Sequence, residues 1–77
     1  MSLRKPWQDL DHSTVRTAPD RYGVYELGDD SGESIRIDAG VLCDDLKEAL
    51  SRSEATTVRW TAANSKAHAE RLLEEQR

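Results

Sequence analysis

Residue types that build large cores or covalent crosslinks are scarce in this chain of 77 residues. It contains no Phe, and Trp7, Tyr22, Tyr25 and Trp60 are its only aromatic residues. A chain this short, with few large apolar residues, forms a single small domain in which each aromatic side chain matters to the core. The single cysteine, Cys43, excludes an internal disulfide and fits a reducing compartment.

Long apolar runs are also absent from the sequence. No stretch reaches the length of a transmembrane helix, and the first residues lack the apolar segment of a signal peptide. We therefore expect a cytoplasmic protein that does not insert into a membrane.

Acidic residues outnumber basic ones, with fifteen Asp and Glu against eleven Lys and Arg, for a net charge of −4. Eight of the eleven basic residues are Arg. This balance resembles that of proteins from halophilic archaea, whose acidic surfaces stay soluble in concentrated salt. The alternative is a GC-rich genome and an ordinary acidic surface. The net charge argues against binding to a phosphate backbone without excluding it.

Hydrophobic periodicity predicts five elements in the order β-β-α-β-α. The predicted strands cover residues 21–27, 33–38 and 55–61, and the predicted helices cover 42–52 and a segment that begins at Asn64 or Ser65. The sequence therefore predicts an α+β domain over residues 21–77, with a small three-stranded antiparallel sheet and helices. Residues 1–20 are predicted to form an N-terminal arm.

The first two strands form a predicted hairpin in which Arg36 follows Tyr25 by eleven residues. We expect Tyr25 to pair with Arg36 across this hairpin. Because successive side chains of a strand point to opposite faces, each face then has its own set of residues. The core side bears Val24, Ile35 and Ile37, and the opposite face bears Tyr25, Arg36 and Asp38.

The triplet Gly23-Val24-Tyr25, its spacing to Arg36 and the order of the elements resemble the GIY-YIG nuclease superfamily. The resemblance covers residues 21 to about 76 and implies the same fold. In active members, two tyrosines, an arginine on the first helix and a metal-binding glutamate on a later helix cleave a phosphodiester. The arginine offsets charge on the phosphate, and the metal stabilises the leaving oxygen.

Only one of these four catalytic positions has a matching residue in this chain. Tyr25 matches the first tyrosine. The other family positions hold residues of different chemistry: Arg36 at the second tyrosine, Asp38 at the glycine of the second triplet, Ala49 at the arginine and Leu73 at the glutamate. Glu74 lies one residue beyond the glutamate position, where a helix turns its side chain to a different side.

The sequence leaves three functions open. The favoured one is a non-catalytic GIY-YIG-like domain, without a cofactor, that binds a protein or nucleic-acid partner through a sheet face bearing Tyr25, Arg36 and Arg59. The first alternative is a divergent, Mg²⁺-dependent DNA endonuclease that uses Tyr25 and Glu74. The second is a regulatory or assembly subunit without a ligand site. The oligomeric state does not follow from the sequence.

Each candidate site residue also has a simpler structural interpretation. Tyr25 is explained by packing as a strand tyrosine beside Leu27. The two arginines are explained by ion pairs with neighbouring acids, for which Asp38 and Glu26 are the candidates.

Overall fold

The computed structural model describes residues 5–76, which form four strands and three helices. In chain order these are β1 (Gln8–Asp9), α1 (His12–Arg16), β2 (Tyr22–Gly28), β3 (Ser34–Val41), α2 (Leu42–Arg52), β4 (Thr57–Ala62) and α3 (Lys66–Gln76). None of the helices in this part of the chain is long and apolar enough to cross a bilayer.

The four strands form one antiparallel sheet in the order β1-β4-β2-β3. The predicted α+β class and the antiparallel sheet are confirmed, but the prediction of three strands is wrong. The additional strand, β1, lies in the segment predicted as an arm, where Gln8 pairs with Val58 and Asp9 with Thr57. A strand of two residues is too short to produce a periodic pattern, so sequence periodicity does not detect it.

The hairpin of β2 and β3 has a different register from the predicted one. Tyr25 lies opposite Asp38, and Arg36 lies opposite Leu27. The expected pairing of Tyr25 with Arg36 is therefore wrong by two residues. β3 also continues to Val41, three residues beyond the predicted end of this strand at residue 38.

An irregularity in the hairpin displaces Ile35 from its expected position. Leu27 pairs with Arg36, whereas the next residue, Gly28, pairs with Ser34, so Ile35 is an extra residue on β3. Such a bulge disturbs the alternation of side chains along the strand. Ile35 is 51% exposed and does not join a core face with Ile37 as the sequence predicted.

Helices cover both faces of the sheet. On one face, Tyr25 and Leu27 belong to a core cluster formed mainly with α1 and α2, whose other buried members are Val15, Ala18, Leu42, Leu46 and Val58. On the other face, Val24 packs with Leu73 of α3. The expectation that the core lies on the Val24 side alone is wrong, because Tyr25 itself is only 5% exposed.

The glycine of the first triplet allows α2 to pack closely on the sheet. A Cβ atom on Gly23 would lie 2.5 Å from the carbonyl oxygen of Thr61 and 2.7 Å from a methyl group of Leu42. Both distances are shorter than van der Waals contact, and Leu42 is fully buried. Only glycine therefore fits at this position without moving α2 or β4.

Candidate binding groove

A groove of about 400 Å³ lies between α2 and the hairpin of β2 and β3. We call it the α2–β3 groove. Its lining combines an apolar base with charged groups of both signs: Tyr25, Leu27, Ile35, Arg36, Asp38, Asp45, Glu48, Ala49, Arg52 and Ser53. Two of the predicted site residues, Tyr25 and Arg36, therefore lie in the same concave surface.

Tyr25 reaches the groove from the central strand β2. Its side chain is largely buried, and its phenol is hydrogen-bonded to the carboxylate of Asp45. Burial raises the pKa of the Tyr25 phenol well above its ordinary value, and the negative charges of Asp45 and Asp38 raise it further. The phenol therefore stays protonated and donates its hydrogen to Asp45.

Asp45 lies over the sheet from the first turn of α2, and its position depends on Gly40. Any Cβ atom on Gly40 would overlap the Asp45 carboxylate. Burial raises the pKa of Asp45, and the nearby charges of Asp38 and Glu48 add to the effect, although the hydrogen bond from Tyr25 opposes it. The groove therefore holds a carboxylate whose negative charge is only partly compensated.

Arg36 and Asp38 form an ion pair at the open side of the groove. Arg36 Nη2 lies 2.6 Å from Asp38 Oδ2, with 62% and 34% of the two side chains exposed. The hydrogen bond to Asp38 raises the pKa of Arg36, so its positive charge is constant at any ordinary pH. The proposed pairing of Arg36 with Asp38 is thus confirmed, and the guanidinium remains accessible to a partner.

The rim of the groove on α2 carries a second, weaker ion pair. Arg52 Nη1 lies 3.6 Å from Glu48 Oε1, and both side chains are mostly exposed. Exposed pairs one helical turn apart contribute little to stability, so both groups can exchange partners readily. The groove therefore presents two guanidinium groups and three carboxylates around a tyrosine.

Arg59 lies on the opposite face of the sheet from Tyr25 and Arg36. In the pairing of β2 with β4, Tyr25 is opposite Trp60 and Glu26 is opposite Arg59, so Arg59 shares the face of Glu26. The sequence-based expectation of one face bearing all three residues is wrong in this respect. The alternative interpretation, an ion pair between Arg59 and Glu26, is confirmed at 2.8 Å between Nε and Oε1.

This ion pair is buried and connects the sheet to the beginning of the described chain. Only 13% of the Arg59 side chain and 2% of the Glu26 side chain are exposed. The guanidinium lies 3.9 Å from the centre of the Trp7 ring, and its Nη1 donates a hydrogen bond to the carbonyl of Lys5. Arg59 therefore holds residues 5–7 against the sheet and has little surface left for a ligand.

Glu74 is not brought together with Tyr25. It lies on α3, which packs through Leu73 on the face of the sheet that bears Val24, whereas Tyr25 points to the other face. Within residues 5–76, no group of three His, Cys, Asp or Glu side chains has an arrangement that could hold a metal ion. A paired action of Tyr25 and Glu74 on one phosphodiester therefore has no support in this geometry.

Comparison with known proteins places the chain in a family but does not supply a function. Residues 1–77 match a family described as "Domain of unknown function (DUF7508)". The chain belongs to this family. No curated protein and no solved structure matched it. The residues of the groove therefore carry the functional argument.

Asp45 lines the groove and Gly40 leaves room for its carboxylate, and the sequence analysis singled out neither residue. Asp45 belongs to an acidic stretch at the start of α2, which periodicity alone assigns to a solvated face. Gly40 lies in a segment that local rules assign to a strand break. Their contact arises only when α2 folds back over β3, and a glycine five residues before an acidic residue is too common to signal it.

Proposed function

We propose that this chain is a non-catalytic, GIY-YIG-like domain that binds a protein partner through the α2–β3 groove. The observation that carries the proposal is the content of this concave surface. It combines a buried, neutral tyrosine with accessible charged groups on both sides, and it lies beside the exposed edge of β3. Charged and polar groups around an apolar base are typical of surfaces that select a partner.

The pairing of β4 with the opening hairpin agrees with the resemblance, whereas the hairpin register and the side of the sheet that α3 covers differ from what it implies. In that resemblance the third strand of the β-β-α-β-α order has to join the opening hairpin. The corresponding strand, β4, pairs with β2 over six residue pairs from Gly23 to Gly28. The hairpin also carries its glycine and tyrosine on the central strand of the sheet.

The side chains at the catalytic positions of the resemblance are unsuited to cleaving a phosphodiester. Tyr25 donates its phenolic hydrogen to Asp45, and its pKa is raised, so it is a poor base. The position of the second tyrosine holds Arg36, whose guanidinium is paired with Asp38. The position of the metal-binding glutamate holds Leu73, which is buried against Val24.

A protein partner is favoured over a nucleic acid by the charges of the groove. Asp38, Asp45 and Glu48 supply three carboxylates, against two guanidinium groups. Carboxylates repel a phosphate backbone, whereas they accept hydrogen bonds from the lysine, arginine and backbone N–H groups of a peptide. The carboxylates therefore decide the class of partner that we propose.

The test is selection of a displayed random-peptide library on the immobilised chain, followed by affinity measurements. These use the recovered peptides and short single-stranded and duplex oligonucleotides, in both dilute and concentrated salt because the chain is acidic. Arg52→Glu reverses a charge on the groove rim, and Arg71→Glu is the matched control on α3. We expect Arg52→Glu to weaken peptide binding at least tenfold and Arg71→Glu to leave it unchanged.

Three outcomes would contradict the proposal. Equal effects of the two variants would move the binding surface away from the groove. Binding of oligonucleotides without binding of peptides would identify a nucleic-acid domain. Nicking of supercoiled plasmid with Mg²⁺ or Mn²⁺, if abolished by Tyr25→Phe, would show that the domain is an enzyme.

A further inference from the structure

We propose that two copies of this chain pair through the edges of their β3 strands, in an antiparallel register centred on Ile37. The proposed interface uses the backbone edge of β3, whereas the proposed partner site is the groove on the α2 side. Arg36 and Asp38 also line that groove, so the two proposals share these residues, but peptide binding and self-association are measured separately and either can fail alone.

The first observation is that β3 is the long edge strand of the sheet described by residues 5–76. The strand order places β3 at one end and the two-residue β1 at the other. β3 has eight residues, and its first three are exposed. One side of such a strand presents N–H and C=O groups that no other strand binds, which is a template for another strand. The N–H of Ala39 donates to Asp38 Oδ1 within the chain, so pairing has to exchange that hydrogen bond.

The second observation is the charge pattern along β3, which is complementary to itself. When two identical strands pair antiparallel about a twofold axis, directly opposite residues lie on the same face of the sheet. Arg36 and Asp38 are two residues apart on β3 and therefore share one face, so they can lie opposite each other in two copies. With Ile37 at the axis, Arg36 of each copy lies opposite Asp38 of the other. Arg36 and Asp38, which pair with each other within one copy, can then also form two ion pairs between the copies on one face. An Ile37–Ile37 contact lies on the other face.

The same charges disfavour neighbouring registers. Centring the contact on Arg36 places two arginines opposite each other, and centring it on Asp38 places two aspartates opposite each other. Like charges directly opposite each other destabilise strand pairs. The charges of β3 therefore favour one register of self-association over its nearest alternatives.

The exposed Ile35 gives a third reason to expect a covered edge. It is 51% exposed, and in the proposed register it approaches Ala39 of the second copy. The bulge at Ile35 shortens the regular part of the contact, so the buried area is small beside that of a permanent dimer. We therefore expect a reversible dimer that forms at micromolar to millimolar concentrations.

The experiment is sedimentation equilibrium on the full chain over that concentration range, with circular dichroism to verify the fold of each variant. Arg36→Asp turns both cross-strand attractions into repulsions and is expected to weaken dimerisation about tenfold. Combining Arg36→Asp with Asp38→Arg restores opposite charges in the same register. The double variant is expected to restore dimerisation. If Arg36 and Asp38 mattered only for the fold of one copy, the double variant would not restore dimerisation.

Amide chemical shifts locate the contact independently of the variants. On concentration, shifts at residues 36–39 support the proposal, since these amides lie at the axis. A chain that stays monomeric to millimolar concentration overturns it. So does a dimer whose shift changes lie elsewhere, or one that the charge reversal and its double variant leave unchanged. If the chain dimerises in this way but binds no peptide in the groove, only the proposed function is overturned.

Discussion

The buried ion pair between Arg59 and Glu26 provides the strongest stability prediction, because an exposed pair in the same protein serves as its control. Replacing Arg59 by Met keeps most of the side-chain volume but removes the guanidinium that lies 2.8 Å from the Glu26 carboxylate. That carboxylate has only 2% of its side chain exposed, so water does not replace the lost partner. Removing one member of a buried pair typically destabilises a protein by about 3–5 kcal/mol.

Loss of the contact with Trp7 adds to this effect. The guanidinium lies 3.9 Å from the ring centre, a geometry that contributes on the order of 0.5–2 kcal/mol. A domain of this size has a free energy of unfolding of about 4–12 kcal/mol. We therefore expect Arg59→Met to remove at least about 3 kcal/mol and to lower Tm by more than about 12 °C.

The assay is urea unfolding followed by far-ultraviolet circular dichroism, which avoids the fluorescence of Trp7 beside the mutation. Arg36→Met is the matched control, since it breaks a pair of similar length with 62% of the Arg36 side chain exposed. Exposed pairs contribute about 0–1 kcal/mol, so the control should change the free energy of unfolding by no more than that. Combining Arg59→Met with Glu26→Gln removes the buried charge and should recover a substantial part of the loss.

The result that would refute this reasoning is equality of the two single variants. If Arg59→Met changes the free energy of unfolding by less than about 1 kcal/mol, Glu26 is not held as a buried, compensated charge. A double variant no more stable than Arg59→Met would show that lost packing, and not the uncompensated carboxylate, causes the destabilisation. Each outcome is read from the same unfolding curves.

Three further predictions concern the groove and the packing of α2. Gly23→Ala should lower the free energy of unfolding by about 1–3 kcal/mol, because the added Cβ overlaps the carbonyl of Thr61. Gly32 has a φ of +85° and open space around it, so Gly32→Ala should lower the free energy of unfolding by about 1 kcal/mol. Chemical denaturation of the two variants tests this difference. Because burial raises the pKa of Tyr25, Tyr25→Phe should leave the tyrosinate absorbance that develops up to pH 11 unchanged, and a clear decrease would contradict the buried, hydrogen-bonded phenol. Because the pKa of Asp45 is raised in the folded state, its contribution to stability is full below the ordinary aspartate pKa and falls as pH rises through the folded pKa. Asp45→Asn should remove this loss of stability with rising pH. Unfolding curves of Asp45→Asn from pH 3 to pH 7 that still show the loss would contradict the assignment.

The sequence predicted the elements well where periodicity extends over many residues. The predicted helix over 42–52 has the observed bounds of α2, Leu42–Arg52. The last helix begins after Ser65, whose hydroxyl accepts a hydrogen bond from the amide of His68, as expected for a capping residue. Strand ends were displaced by one to three residues, and β1 was missed because two residues form no pattern.

Strand register was less predictable because periodicity assigns faces and not partners. Alternation along β4 implies that Arg59 lies on the opposite face from Val58 and Trp60, and the structure shows this. Whether Arg59 shares a face with Tyr25 depends on how two strands distant in sequence align, and no local feature determines that alignment. The bulge at Ile35 is a further local shift that an alternating pattern conceals.

The groove was half predictable for the same reason. Tyr25 and Arg36 were identified from the hairpin, whose strands are adjacent in sequence. Asp45 and Gly40 meet through a fold-back of α2, which local spacing does not encode. The ion pairs were foreseen as simple alternatives, since arginines on a strand of an acidic protein have acidic neighbours in most registers.

The positions that match the GIY-YIG motif have packing explanations in this chain. Gly23 makes room for Leu42 and for the carbonyl of Thr61, and Tyr25 fills a core that contains no Phe. A glycine and a tyrosine at these places therefore need no catalytic role to explain them.

The remaining motif positions hold side chains suited to packing or pairing. Leu73, at the glutamate position, is buried with Val24, and Ala49, at the arginine position, packs against the core of the other face. Placing Glu at position 73 would put a carboxylate into that core, on the opposite side of the sheet from Tyr25, and would destabilise the fold without assembling a metal site. A site that combines Tyr25 with a glutamate on the last helix would need that helix on the other side of the sheet, so point substitutions at these positions should not create cleavage activity.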